Sequence, residues 1–182
     1  MAEKSGLKYC YCGSQRPAVR CCEPYLTGKK TAPTAEALMR SRYSAFCQGN
    51  VDYLVRTHHR EYGGGDEQKG LRKSLERNVV QTQWTHLLIV RTQKGQKKDK
   101  TGTVEFVAAY RSAQGLGVLA TAGKTTAGKT AGKIDQLHER SKFVREQGEW
   151  FYTEGDRLPD YVPKRSQPCW CGSGKPFKHC HA

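Results

Sequence analysis

The chain is predicted to be an α+β protein, because its apolar residues recur every third or fourth position in the first half of the core and every second position afterwards. Two cysteine-rich ends, each too short to bury a core of its own, bracket that pattern. At 182 residues the chain is long enough for one ordinary domain with small appendages. The division is a knuckle at 1–27, a central domain at 28–163 and a second knuckle at 164–182.

Pro33 and Thr34 signal the start of a helix whose inward face carries Ala35, Leu38, Met39, Tyr43, Phe46 and Cys47, and Gly49 stops it. Asn50 caps a second, short helix running through His58 or His59, where imidazolium suits the helix dipole, and Gly63-Gly64-Gly65 breaks it. Asp66 caps a third, with Leu71, Leu75 and Val79 as a narrow apolar stripe. After Gln83 the period changes. Residues 84–91 are rich in β-formers, residues 94–102 read as a hairpin loop, and residues 103–111 put Val104, Phe106, Ala108 and Tyr110 on one face. A third strand runs from Leu137 to Arg145 and turns at Gly148 into a fourth of Trp150, Phe151, Tyr152 and Thr153.

No run approaches the roughly 18 apolar residues of a membrane span, and the start lacks a signal-peptide core, so a cytoplasmic protein without a membrane partner is expected. In such a reducing compartment eight cysteines are more useful as metal ligands than as disulfides. The formal charge of +14 is concentrated in residues 69–100, 111–133 and 164–182, while residues 134–163 are net acidic. That imbalance favours a polyanionic partner such as RNA, the ribosome or an acidic protein surface.

Cys10-Tyr11-Cys12-Gly13-Ser14 is followed after eight residues by Cys21-Cys22, and Cys169-Trp170-Cys171-Gly172-Ser173 after eight by Cys180-His181. Four sulfurs from Cys10, Cys12, Cys21 and Cys22, and three sulfurs and a nitrogen from Cys169, Cys171, Cys180 and His181, suit two tetrahedral Zn2+ ions, with iron as the alternative metal. Four protein ligands leave no position for a reacting water, so both sites are expected to be structural. Cys47 is left over as a small hydrophobe on the first helix.

Gly123-Lys124-Thr125-Thr126-Ala127-Gly128-Lys129-Thr130 satisfies the literal P-loop pattern. It arises from a repeated Ala-Gly-Lys-Thr and has neither a buried strand before it nor a helix after it, so no nucleotide is expected. The third strand aligns Glu139, Ser141 and Phe143 on one face, and with Arg42, Tyr43 and His86 nearby Glu139 and Ser141 would form a candidate pocket. A buried ion pair between Glu139 and an arginine such as Arg42 is the favoured alternative. No catalytic residue stands out.

The stretch from Pro168 to His181 resembles the SEC-C zinc knuckle of the bacterial secretion motor ATPase. Leu38-Met39-Arg40-Ser41-Arg42-Tyr43-Ser44-Ala45-Phe46 and Glu139-Arg140-Ser141-Lys142-Phe143 with Gly148 and Trp150 resemble the central motifs of the bacterial YchJ-like family. The resemblance implies an NTF2-like cone, in which a curved antiparallel sheet wraps on a long helix between two metal knuckles. It assigns the eight ligand positions above and no catalytic residue. Gln15 departs from the motif, which has a second glycine there, and this is expected to loosen the N-terminal site. The functional expectation is a non-enzymatic, zinc-binding adaptor for a protein or ribonucleoprotein partner, with Trp170, Lys175, Phe177, Lys178 and His179 as its contact face. The alternative is a small-molecule binder or enzyme using the cone.

Overall fold

The hydroxyl of Thr34 accepts a hydrogen bond from the Ala37 N–H at 3.1 Å, and Gly49 adopts a left-handed φ of 68°; between them lies the central helix. The computed structural model describes residues 8–62, 66–112 and 133–182, so the Gly63-Gly64-Gly65 run and the P-loop-like tract lie outside the described residues. In chain order the α-helices are α1 (Glu23–Leu26), α2 (Ala35–Gln48), α3 (Val51–Arg56) and α4 (Asp66–Gln81). The Asn50 side chain caps α3 by accepting from the Tyr53 N–H at 3.0 Å. That helix ends before His58 and His59, contrary to expectation, because the chain turns there to join the sheet. The Tyr152 N–H donates to the Thr57 carbonyl at 2.9 Å and the His59 N–H to the Tyr152 carbonyl at 2.8 Å.

The sheet is an antiparallel meander of β1 (Thr82–Lys94), β2 (Thr101–Ser112), β3 (Asp135–Glu146) and β4 (Glu149–Arg157), paired in chain order. α4 passes into β1 without a connecting loop. The strands outrun their apolar stretches, since polar Thr92, Gln93 and Lys94 continue the ladder opposite Val104, Thr103 and Gly102.

One face of the sheet packs on the helices. Leu87, Val104, Phe106, Ala108 and Phe143 meet Leu38, Met39, Tyr43, Tyr53, Leu54 and Leu75 in a single core, which also takes in Cys10, Cys12, Cys22 and Leu26 of the N-terminal segment. Each large apolar side chain buried there contributes about 1.5–3 kcal/mol of transfer free energy. The opposite face is covered as well. Val107 and Ala109, fully buried, pack with Trp170 and Phe177 of the C-terminal segment and with Leu88, Val90, Ile134 and Tyr161. The run Phe106-Val107-Ala108-Ala109-Tyr110 carries no charge or amide, which is the pattern of a strand buried on both sides. Among the described residues no helix is long and apolar enough to cross a membrane.

Candidate metal centres

The N-terminal chain curls so that Cys10 and Cys12 face Cys21 and Cys22, the latter immediately preceding α1. The four Sγ atoms all lie within 4.8 Å of one another, with Cys12 to Cys21 at 3.5 Å and Cys21 to Cys22 at 3.9 Å. A tetrahedral ion bound at about 2.3 Å would space its sulfurs by about 3.8 Å, so the donor set fits a single metal. The Ser14 hydroxyl stands 3.1 Å from the Cys21 sulfur, and Ser44 of α2 reaches Cys10 at 3.5 Å. The domain also grips the backbone of this knuckle. Arg40 donates to the Cys12 carbonyl at 3.0 Å and Arg56 to the Tyr25 carbonyl at 2.9 Å.

The C-terminal donors Cys169, Cys171, Cys180 and His181 likewise gather within 4.8 Å, with Cys169 to the His181 Nδ1 at 3.2 Å and Cys171 to Cys180 at 3.6 Å. The two knuckles are the same small structure twice. The Cys10 N–H donates to the Arg16 carbonyl at 2.8 Å, and the Cys169 N–H to the Lys175 carbonyl at 2.9 Å. Tyr9 bridges Pro17 as Pro168 bridges Pro176, a 3-10 turn at Ala18–Arg20 matches one at Phe177–His179, and Ser173 stands 3.3 Å from Cys180 as Ser14 does from Cys21.

Gln15 takes the place of Gly174 in this repeat, and both are left-handed, with φ of 57° and 76°. A side chain in that region strains the backbone by roughly 1–2 kcal/mol, partly offset by the lower entropy of a non-glycine residue in the unfolded chain. Gln15→Gly should therefore stabilise the N-terminal knuckle by about 0.5–1 kcal/mol, read as tighter metal retention in a chelator competition. Unchanged or weaker retention would show that Gln15 is not the loose point.

Proximity splits the thiols. Contact with Cys12 and Cys22 drives the Cys10 thiol far down, while its contact with Cys10 drives Cys22 far up. Burial raises Cys169 to about 11; burial also opposes ionisation of Cys171, but hydrogen bonds from Ser173, Cys180 and Cys169 together outweigh it and lower that thiol. Four neighbouring sulfurs cannot all become thiolates unless a cation compensates them. Cys47 is different in kind, for burial pushes its thiol up to about 12 and makes it a poor nucleophile.

Both knuckles approach β1 at adjacent residues, the C-terminal one at His86 and the N-terminal one at Leu87. A bulge beside Trp84 puts His86 opposite Ala109, on the face that carries the C-terminal knuckle. A Cβ at Gly172 would lie 2.5 Å from the His86 Cγ, and one at Gly13 would lie 3.2 Å from the Leu87 carbonyl oxygen and 3.9 Å from the His86 Cε1. One imidazole thus stands between the two metal loops, and burial lowers its pKa. Trp170 and Phe177, expected to be an exposed contact face, are only 5% and 8% exposed. They are the anchors that fix the knuckle to Val107 and Ala109.

The candidate pocket residues separate. Arg42 and Ser141 are buried, with Glu139 partly buried beside Ser141, whose hydroxyl donates to the Glu139 carboxylate at 2.6 Å. The Glu139 carboxyl also lies over Gly155. Burial raises its pKa against the pull of Ser141 and Arg42. Instead of closing an ion pair with Glu139, the Arg42 guanidinium donates to the Leu54 carbonyl at 2.8 Å and to Thr57 Oγ1 at 2.6 Å, and lies 4.7 Å from the Tyr152 ring centre. Tyr43 belongs to a separate aromatic group with Trp84, and His86 lies across the sheet. Sequence reasoning gave no role to Arg40, Ser44 and Arg56, which tie the knuckle to the domain; the signals available were the place of Arg40 and Ser44 in the family-like block on α2 and the buried-face spacing of Ser44.

Comparison with known proteins agrees with this architecture. Residues 34–155 match the family model described as YchJ, middle NTF2-like domain, and residues 165–182 match the SEC-C motif. The solution structure of a SEC-C motif containing protein from Rhodopseudomonas palustris is 27% identical, covers 84% of this chain and 100% of its own, and superposes with a TM-score of 0.64. The crystal structure of a SEC-C motif containing protein from Psychrobacter arcticus is 27% identical, covers 95% of this chain and 94% of its own, and gives a TM-score of 0.57.

Proposed function

The chain belongs to the YchJ family with its middle NTF2-like domain, and from that premise we infer that it is a zinc-stabilised, non-enzymatic adaptor that docks onto a protein or ribonucleoprotein partner. The observation that carries this reading is the closure of both donor sets: four protein atoms within 4.8 Å of one another fill a tetrahedral shell and leave no ligand position open. Zinc suits both the all-thiolate set and the set that adds an imidazole to three thiolates, and iron is the competing ion. A bound ion would neutralise the thiolates and hold each loop. The charge of +14 supplies attraction to a partner of negative surface. The alternative reading, chemistry in the cone, has less support. Phe106 and Phe143 are buried in the core between sheet and helices, and Tyr43 and His86 do not join Glu139.

Elemental analysis of protein purified without added metal tests the first half: about two zinc ions per chain are expected, falling to about one in Cys12→Ala and in Cys171→Ala. One metal in the wild type would remove a site. Co-sedimentation with ribosomes tests the second half; binding at low salt that fades as salt rises supports it, and absence of binding at low salt, together with no acidic protein partner, removes it.

A further inference from the structure

The repeat of one knuckle at both ends allows a direct comparison of what each does with its outer face. At the C-terminus Trp170 and Phe177 point into the domain and are covered by the sheet. Tyr11 and Ala18 occupy the equivalent places at the N-terminus; Ala18 packs partly against the core, and the face around Tyr11 is open. Tyr9 is 66% exposed, Tyr11 42% and Val19 49%. Together with Lys8, Ala18, Glu23 and Gln48 they line a surface groove of about 440 Å3. The Lys8 Nζ sits 5.7 Å from the centre of the Tyr11 ring, and Arg16 and Arg20 are exposed on the same knuckle.

We propose that this groove binds a single strand of nucleic acid, with Tyr9 and Tyr11 stacking on bases and Lys8, Arg16 and Arg20 holding the phosphates. The proposal deepens the adaptor reading and rests on it. Substituting alanine for the Phe177 counterpart removes the apolar anchor that a protein surface would bury. Tyrosine at the Trp170 counterpart keeps an aromatic face with a polar rim. Two exposed rings in one groove with a lysine over one of them make a stacking platform, which tolerates any base because every base has a π-face. Glu23 and Gln48 complete the lining with a carboxylate and an amide, groups that address base edges, not phosphates. The local cations and the overall charge match a polyanion.

The test is fluorescence anisotropy of labelled oligo-uridylate and oligo-thymidylate with the full-length, metal-loaded protein, comparing wild type, Tyr9→Ala, Tyr11→Ala and Lys8→Gln. Both tyrosines are exposed, so metal content should stay at the wild-type value in each variant. Each tyrosine substitution is expected to weaken single-strand binding about tenfold with no change in salt dependence. Lys8→Gln should flatten the logarithmic salt slope by about 0.7. Binding that is indifferent to both tyrosines, or displaced equally well by polyglutamate, overturns the proposal. So does absence of oligonucleotide binding. In that last case co-sedimentation with ribosomes separates the two ideas: if it persists, the stacking groove is wrong and the adaptor reading stands, and if it too is absent and no acidic protein partner is found, both fall.

Discussion

Cys12→Ala should lower the melting temperature of the whole protein by about 10 °C, whereas Cys171→Ala should lower it by only a few degrees. The asymmetry follows from where the ligands sit. Cys12 is 0% exposed and shares one core with Leu38, Tyr43, Leu54 and Val104, so a collapsed N-terminal knuckle opens the packing of α2. It also releases the bond from Arg40 to the Cys12 carbonyl and the contact of Ser44 with Cys10. Losing one ligand discards several kcal/mol of metal binding, and a chain of this size shifts by roughly 2–4 °C per kcal/mol. The C-terminal knuckle covers a smaller apolar patch on the far face of the sheet. Calorimetric melts of both variants, with and without chelator, check this. Equal drops would mean that the two knuckles are equally integral to the fold.

Gly172→Ala should detach the C-terminal knuckle while leaving its donor set intact. Two penalties coincide at this residue: a φ of 76°, and a new methyl group 2.5 Å from the His86 Cγ. The first amounts to about 1–2 kcal/mol, and overpacking adds about 1–3 kcal/mol. Detachment exposes Trp170, so tryptophan emission should shift to the red with metal content unchanged. The two closest overlaps are with the ring, the His86 Cβ following at 2.9 Å, and a double-mutant cycle isolates them: His86→Ala should recover the ring's share of the overpacking loss and leave the Cβ share and the backbone part. If Gly172→Ala is just as harmful beside His86→Ala, the imidazole is not what the glycine accommodates.

Local rules made much of the fold legible. Thr34 and Asn50 are caps, Gly49 is the stop, Leu71, Leu75 and Val79 face the core from α4, and Val104, Phe106 and Ala108 mark one face of β2. All of these depend on chain neighbours. What spacing does not announce is which segment covers a face, because that depends on docking at long range. Val107 and Ala109 are buried only because a segment some sixty residues later in the chain lies on them. That segment is aimed by contacts over β3: the Leu158 N–H donates to the His138 carbonyl at 2.9 Å, and Gln136 exchanges hydrogen bonds with the backbone of Tyr161. The metal-donor spacing is visible in the sequence, but which aromatic residues face outward is not. Trp170 and Tyr11 have the same place in the motif and opposite surroundings. For the same reason spacing groups His86 with Glu139; a bulge, which spacing does not announce, turns it to the other side.

Chain ends are ordinarily where a fold frays and where proteases begin. Here Gly172 packs on the His86 ring and Gly13 lies beside the Leu87 carbonyl next to it, so the first and last described segments meet neighbouring residues of β1. With a metal bound in each donor set, as proposed, this packing depends on metal occupancy. Chelation is then expected to expose both segments to protease, an outcome that limited proteolysis with and without chelator reads.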